Sequence, residues 1–428
     1  MFIEKINAVL WGYGTIFLIL GTGIYFTVKL RFLQFRHPIY ILKKTLLAKT
    51  APDKKGGVSR FQALSTALAA SMGTGNIVGV AAAIAVGGAG AVFWMWVSAF
   101  FGMATAYSEN YLGVLYKNKS RENKNKAGAM LYLEHLARPA ALFYAAAAIA
   151  ASFGIGNMTQ SAAISDTLAA YGINPLISGA AVAIFAAAVI FGGTKRVAKT
   201  AEKIIPAVSL FYIIGAIIVI VNFSGNIPAV FAEIFAGAFG IKAAAGGFSG
   251  VIIKKAVTIG LQRGIFSNEA GMGSSVLVHT ETDCADPETM GLWAVLEVFI
   301  DTIICCTVTA LVILATKTPA VGTTTAVVIN AFAKGLGGFA EIFISASIIT
   351  FAFATILGWS FYGEKCVNYL SRKRQSVYLY RAAYALCIIL GAAVSTSLVW
   401  EISDTLNALM LLPNLIGILA LSGEVGGE

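Results

Sequence analysis

Two strips of glycine and polar residues interrupt otherwise apolar stretches of this chain, and they are the residues best able to do chemistry. The first reads Ser71-Met72-Gly73-Thr74-Gly75-Asn76. The second lies within 264–275 and reads Gly-Ile-Phe-Ser-Asn-Glu-Ala-Gly-Met-Gly-Ser-Ser. If each lies inside a membrane-spanning helix, glycine and asparagine there favour release of main-chain N–H and C=O groups from the helical ladder. A half-helix that starts at such a break points N–H groups and a positive dipole end into the gap, and one that ends there points carbonyls and a negative end. A zwitterion uses both: its carboxylate suits the amides and its ammonium suits the carbonyls. A small cation suits carbonyls together with hydroxyls.

Single glycines in a span serve equally well for close helix packing. The mirrored pair of strips favours a break over packing. A nucleotide site is excluded at Gly73, Gly75 and Gly79, because the spacing is Gly-x-Gly-x-x-x-Gly and no strand precedes it. Other polar residues sit within apolar spans. Gln160 suits a bond to a substrate or to a neighbouring helix. Thr355 and Trp359, four residues apart, fall on one helical face, as a cation-binding hydroxyl beside an aromatic lid or as ordinary packing. Glu109, Glu269, Glu297, Asp301 and Arg263 are costly unless paired, and Arg263 with Glu269 or Asp301 is the expected ion pair or gate.

The elements that would hold these residues follow from composition. The 428 residues are 58% hydrophobic and 12% charged, about half the charged fraction usual in soluble proteins. Mean hydropathy is +0.79. The solvent for such a chain is a lipid bilayer. The net charge of +10 does not indicate nucleic acid, because the basic residues fall in short clusters between apolar stretches. The predicted class is an all-α integral membrane protein of about eleven transmembrane helices. The spans fall near 10–28, 61–86, 91–116, 139–163, 176–191, 204–221, 251–278, 290–315, 339–362, 377–394 and 402–421, with a short interfacial helix near 130–138. No cleaved signal precedes the first.

Loop charge sets the orientation. Lys29, Arg31, Arg36, Lys43 and Lys44 share one side with Lys117, Arg121, Lys195, Arg196 and Arg372–Arg374. The opposite side holds little beyond Lys5, Lys242, Lys317 and Lys334. The basic side is expected to be cytoplasmic, with the N-terminus outside and the C-terminus inside a cell membrane. One loop on the basic side is acidic, at Glu281, Asp283, Asp286 and Glu288. Five cysteines and three scattered histidines suit neither a disulfide framework nor a metal site. No Ser/His or paired-Asp arrangement suggests an enzyme.

The ten spans after the first divide into two sets of five. Five is odd, so the sets are inverted relative to each other, and each opens with an interrupted helix. That is the sequence signature of a secondary transporter with a central site at mid-membrane. The expected units are 1–60 (an extra N-terminal helix and basic loop), 61–222 (first repeat), 223–250 (an extracellular connection), 251–421 (second repeat) and 422–428 (a short tail).

These stretches resemble the alanine or glycine:cation symporters. The likeness rests on Gly-Thr-Gly-Asn-Ile-Val-Gly at 73–79, Gly-Ala-Val-Phe-Trp-Met-Trp at 90–96, Gly-Met-Ala-Thr at 102–105, Gln-Arg-Gly-Ile-Phe-Ser-Asn-Glu-Ala-Gly-Met-Gly-Ser at 262–274, Val-Phe-Ile-Asp-Thr-Ile-Ile at 298–304 and Thr-Ile-Leu-Gly-Trp-Ser-Phe-Tyr-Gly-Glu at 355–364. The resemblance implies a leucine-transporter-like 5+5 inverted repeat with two discontinuous helices plus one extra N-terminal helix. It implies sodium-coupled uptake of L-alanine or glycine, with D-alanine also compatible, and no cofactor beyond Na+ as coupling ion. Carried onto this chain, the substrate carboxylate lies against Thr74, Gly75 and Asn76. The ammonium faces Gln160 and carbonyls near Phe266, and Phe266, Met272 and Trp359 form the side-chain pocket. Sodium bridges the carbonyls of Ala69 and Met72 to Thr355. Alternatives are a proton-coupled symporter of the same fold, with Glu109, Glu269 or Asp301 as proton carrier, and a non-transporting amino-acid sensor or channel. The sequence departs from the family pattern at Ala162, where a polar residue is expected, in the acidic Thr280–Cys284 stretch, and in lacking a basic tail after Leu421, as a shortened chain would.

Overall fold

A computed structural model of the chain describes residues 2–48, 57–120, 127–240, 249–320, 322–394 and 396–426. Arg121 and Lys242, used above for orientation, lie outside these residues, as do 427–428 of the expected tail. All regular elements among the described residues are helices, joined only by an isolated bridge between Val58 and Thr282. Among the described residues, seven helices are long and apolar enough to cross a membrane: Gly90–Lys119, Arg138–Ala169, Thr194–Asn222, Pro287–Ala315, Phe339–Leu370, Arg374–Ala393 and Leu398–Ala420. Tyr13–Lys29 and Pro175–Ile190 are shorter, with 17 and 16 residues. Two broken helices complete the eleven expected spans.

The first broken helix begins at a capping box, in which the Ser59 hydroxyl accepts from the Gln62 N–H and the Gln62 side chain accepts from the Ser59 N–H. It runs Arg60–Ser71, opens at Met72 and Gly73, makes one tight turn at Thr74–Asn76, and resumes as Val78–Gly87. The second runs Ser249–Asn268 and resumes only as Val276–His279. Between them Glu269, Gly271 and Gly273 all have positive φ, at 56°, 89° and 70°. Glycine takes that conformation freely, while Glu269 takes it at a cost. Both predicted interruptions are therefore real breaks.

Two further irregularities lie in unbroken spans. Arg138–Ala169 widens into a π-helical turn at Gly154–Met158, and Pro287–Ala315 does so at Phe299–Cys306. Such turns recur at functional sites because they rotate side chains out of the regular register. The first precedes Gln160 and the second contains Asp301.

The expected short helix is present as Met130–Leu136, with Met130 through Leu133 buried against the bundle. Two elements differ from expectation. Ile227–Ala238 and Thr324–Leu336 are additional helices in connections read as loops. Their 12 and 13 residues are too few to span a bilayer, so a search for spans passes over them.

The acidic loop has partners on the basic side of the molecule. Glu281 pairs with Lys365 at 2.6 Å, Glu288 accepts from Tyr40 at 2.6 Å, and Asp286 caps the helix that begins at Pro287. The Lys117 ammonium also donates to the Thr282 carbonyl. The five cysteines are free.

Close backbone packing sets the position of the second broken helix. A Cβ at Gly260 would lie 2.5 Å from the Ala91 carbonyl oxygen and 2.6 Å from the Trp94 Cβ. Gly260→Val forces these helices apart and is expected to cost about 1–3 kcal/mol, read as a lower melting temperature of the detergent-purified protein. An unchanged melting temperature would contradict this packing.

Candidate functional site

The two breaks face each other. Gly75 lies against Phe266 and Ser267, where a Cβ would sit 3.4 Å from the Phe266 ring and 3.6 Å from the Ser267 Cα. Asp301 joins them. Its Oδ1 accepts from the Asn76 side-chain amide at 2.8 Å, and its main-chain oxygen accepts from the same amide at 3.0 Å. Its Oδ2 accepts from the Ser267 hydroxyl at 2.7 Å and the Thr302 hydroxyl at 2.8 Å. Thr302 in turn accepts from Asn268 at 3.2 Å, and Thr309 donates to the Asn76 carbonyl at 2.8 Å. One fully buried carboxylate thus holds both gaps from the π-helical turn that carries it.

The first break has a second set of neighbours. A Cβ at Gly73 would meet the Thr355 hydroxyl at 2.5 Å and the Gln160 Oε1 at 3.0 Å. Gln160 accepts from the Thr74 N–H at 3.2 Å and donates to the Ile155 carbonyl at 3.0 Å, on the π-helical turn. Thr355 donates to the Phe351 carbonyl at 3.1 Å. The side-chain oxygens Thr74 Oγ1 and Asn76 Oδ1 are buried without a hydrogen-bond partner. With its amide committed to Asp301, Asn76 offers only an acceptor to the gap, which suits an ammonium or a cation. Ala69 and Met72 are fully buried, and the Met72 sulfur accepts from Ser209 at 3.8 Å.

The loop of the second break is clamped from several helices. Trp359 donates its indole N–H to Glu269 Oε1 at 2.9 Å, and Ser274 donates to the other oxygen at 2.6 Å. Glu109 accepts from the Gly271 and Gly273 N–H groups at 3.3 and 3.0 Å and from Asn414 at 2.7 Å. Tyr144 donates to the Met272 carbonyl at 2.9 Å. Phe266, Met272 and Trp359 belong to one hydrophobic cluster. Trp359 crosses Gly156, where a Cβ would lie 2.0 Å from the Trp359 Cβ.

Arg263 pairs with neither Glu269 nor Asp301. It meets Asp404 at 3.3 Å, and Gln262 donates to the same carboxylate at 2.9 Å. The left-handed backbone at Glu269 turns that side chain toward Trp359, and Asp301 is committed to the breaks. Arg263 instead lies over the Trp400 ring at 4.6 Å and the Phe266 ring at 5.6 Å, and these rings stack 4.5 Å apart. Beyond this lid is a cavity of about 710 Å³ lined by Val78, Ala163, Arg263, Trp400 and Asp404 among others. Sequence reading missed the roles of Ser267, Thr302, Trp400 and Asp404. Asp301 stood out with Glu297 as an acid in an apolar span, but nothing in that run names its partners. His279, one of the three histidines assigned no metal or catalytic role, is buried and contacts Glu297 at 3.2 Å.

The profile of the sodium:alanine symporter family matches residues 1–427. The chain belongs to that family. Its relatives include the sodium/alanine symporter AgcS of Methanococcus maripaludis, 40% identical over all of this chain and 95% of the relative. The probable sodium/glutamine symporter GlnT of Bacillus subtilis is 37% identical, over 98% of this chain and 87% of its own length. The putative sodium/proton-dependent alanine carrier YrbD of Bacillus subtilis is 35% identical, over 98% and 90%. Among solved structures, a manganese transporter of Eremococcus coleocola superposes with a TM-score of 0.54 at 11% identity, covering 87% of this chain and 79% of that one. That likeness concerns the fold. As a member of the sodium:alanine symporter family, the chain is a multi-pass membrane transporter for amino acids driven by a cation, and not an enzyme.

Asp301→Asn removes the negative charge and leaves a single side-chain acceptor oxygen for the Asn76 amide and the Ser267 and Thr302 hydroxyls. Substrate binding by calorimetry is expected to weaken roughly 10–100-fold, as the loss of a buried charged hydrogen bond implies, while the protein stays monodisperse. Unaltered affinity would remove Asp301 from the site. Gly156→Ala is expected to displace Trp359 and abolish uptake into vesicles; wild-type uptake would place Trp359 outside the transport cycle.

Proposed function

We propose that this protein carries a small neutral amino acid, alanine or glycine, together with Na+ across the cytoplasmic membrane by alternating access. The observation that carries this reading is the meeting of two helix breaks across Gly75, Phe266 and Ser267, with Asp301 tying both. In the turn that starts at Thr74 the Thr74 N–H is held by Gln160, so the Thr74 hydroxyl and the Gly75 and Asn76 N–H groups are the donors offered to the gap. The substrate carboxylate is assigned to Thr74, Gly75 and the main chain of Asn76. The ammonium is assigned to Gln160, the free Asn76 oxygen and carbonyls near Phe266. Phe266, Met272 and Trp359 bound the side chain. The close approach of Phe266 to Gly75 favours alanine or glycine over glutamine. A site whose polar contacts are mostly main chain discriminates weakly between L- and D-alanine.

Sodium is assigned to the carbonyls of Ala69 and Met72 with the Thr355 hydroxyl. All are oxygen donors, as a hard cation prefers, and Thr355 stands beside the break at Gly73. The ion then organises the first broken helix, and substrate completes the gap. Helices 61–222 and 251–421 form two inverted five-helix repeats that rock about this centre. The lid of Phe266, Trp400 and Arg263 closes the route to the 710 Å³ cavity. The clustering of Lys29, Lys117, Lys365 and Arg372 on one face supports a cytoplasmic assignment for that face, with the N-terminus outside. A proton-coupled variant is favoured by one observation, the buried carboxylates Asp301 and Glu269 at the two breaks.

Linkage requires sodium and substrate to raise each other's affinity by the same factor. Alanine binding measured with and without Na+ is expected to differ at least tenfold. Thr355→Ala is expected to raise the Na+ concentration for half-maximal uptake several-fold at unchanged pH dependence. Uptake that follows a pH gradient and ignores Na+ would establish the proton-coupled reading instead.

A further inference from the structure

Four helix ends meet at one face of the bundle, well away from the breaks. Pro175–Ile190 and Phe339–Leu370 end there, and Thr194–Asn222 and Arg374–Ala393 begin there. Between them lies a cavity of about 430 Å³ lined by Gly192, Gly193, Asn368, Arg372, Arg374 and Arg381, with Glu364 and Tyr378. Its lining holds three guanidinium groups against one carboxylate. Arg381 forms the floor. It is buried, bound to Glu364 through two bonds of 2.8 and 2.9 Å, and donates to the Phe191 carbonyl at 3.4 Å. Arg372 and Arg374 stand exposed at the mouth. Arg374 is steered by its bond to the Tyr378 hydroxyl at 3.0 Å, and its guanidinium lies 5.4 Å from that ring. No side chain caps the helix that begins at Thr194.

Planar guanidinium groups converging on a cavity match the oxygens of a phosphate. Basic pockets between membrane helix ends take the headgroups of anionic lipids. The surroundings distinguish a lipid from a free ion. Helices Pro175–Ile190 and Arg374–Ala393 pack together. Their outer faces carry Ile184, Phe185, Leu379 and Leu386, each 63–73% exposed. That apolar strip leads away from the cavity mouth into the region of the acyl chains. We propose that the cavity binds the phosphodiester headgroup of an anionic phospholipid whose chains lie along this strip. This inference is independent of the transported substrate and of the coupling ion.

The full-length protein, purified and exchanged into nanodiscs of phosphatidylglycerol mixed with phosphatidylcholine, tests it by native mass spectrometry. Wild type is expected to retain phosphatidylglycerol selectively. The double variant Arg372→Gln/Arg374→Gln is expected to bind it roughly 30-fold more weakly, at about 1 kcal/mol for each surface arginine. The control Lys43→Gln/Lys44→Gln removes equal charge from the last turn of the short helix Pro38–Lys44, outside the cavity, and is expected to match wild type. Equal retention of the two lipids, or wild-type retention by the arginine variant, would overturn the proposal. Tight binding of inorganic phosphate without selective retention of phosphatidylglycerol would also overturn it, by identifying the ligand as the free ion.

Discussion

The bilayer supplies no hydrogen bonds, and every other feature of this molecule answers to that. A main-chain group released inside hydrocarbon costs several kcal/mol unless something in the protein meets it. Two helices here release such groups deliberately, at Met72–Asn76 and at Glu269–Ser275. The protein meets the cost with a small number of buried side chains placed by neighbouring helices. Gln160 takes the Thr74 N–H, Glu109 takes those of Gly271 and Gly273, and Tyr144 serves the Met272 carbonyl. What these side chains leave unmet defines the space for a ligand.

The two breaks are held differently. The first is short and rests on Asp301, Gln160 and the neighbouring Thr355. The second is longer and is fastened by Glu109, Asn414, Trp359 and Tyr144, which come from four different helices. Asp301 is the group common to both, through Asn76 on one side and Ser267 on the other. A change at either gap that displaces Asn76 or Ser267 must therefore be felt at the other. This is a physical route by which occupancy of one subsite can alter affinity at its neighbour, and the π-helical turn at Phe299–Cys306 is what places Asp301 within reach of both.

Much of this arrangement was legible from residue order alone, and the parts that were not share a cause. Breaks at 71–76 and 264–275 could be read because glycine and asparagine act locally. Thr355 and Trp359 could be placed on one face because helical periodicity is also local. The partner of Arg263 could not. Asp404 lies 141 residues away in sequence, and Glu269, the nearer acid, is turned aside by a left-handed residue that no pattern reveals. Asp301 could be singled out but not connected, since its partners come from other helices and its own helix is locally widened. The helices at Ile227–Ala238 and Thr324–Leu336 escaped notice because hydropathy finds segments long enough to cross a bilayer, and these have 12 and 13 residues.

The brevity of Pro175–Ile190 has a consequence for the membrane itself. Sixteen residues of α-helix rise about 24 Å, several ångströms less than a hydrocarbon slab of about 30 Å. Tilting would shorten its projection further, so it cannot make up the difference. The lipid must accommodate instead, by local thinning around this edge of the protein. Such a dimple lowers the work of bringing polar headgroups toward the helix ends and makes the energy of the surrounding bilayer depend on its thickness. Activity in a membrane of longer-chain lipids is then a question of elastic mismatch as well as of chemistry at the centre.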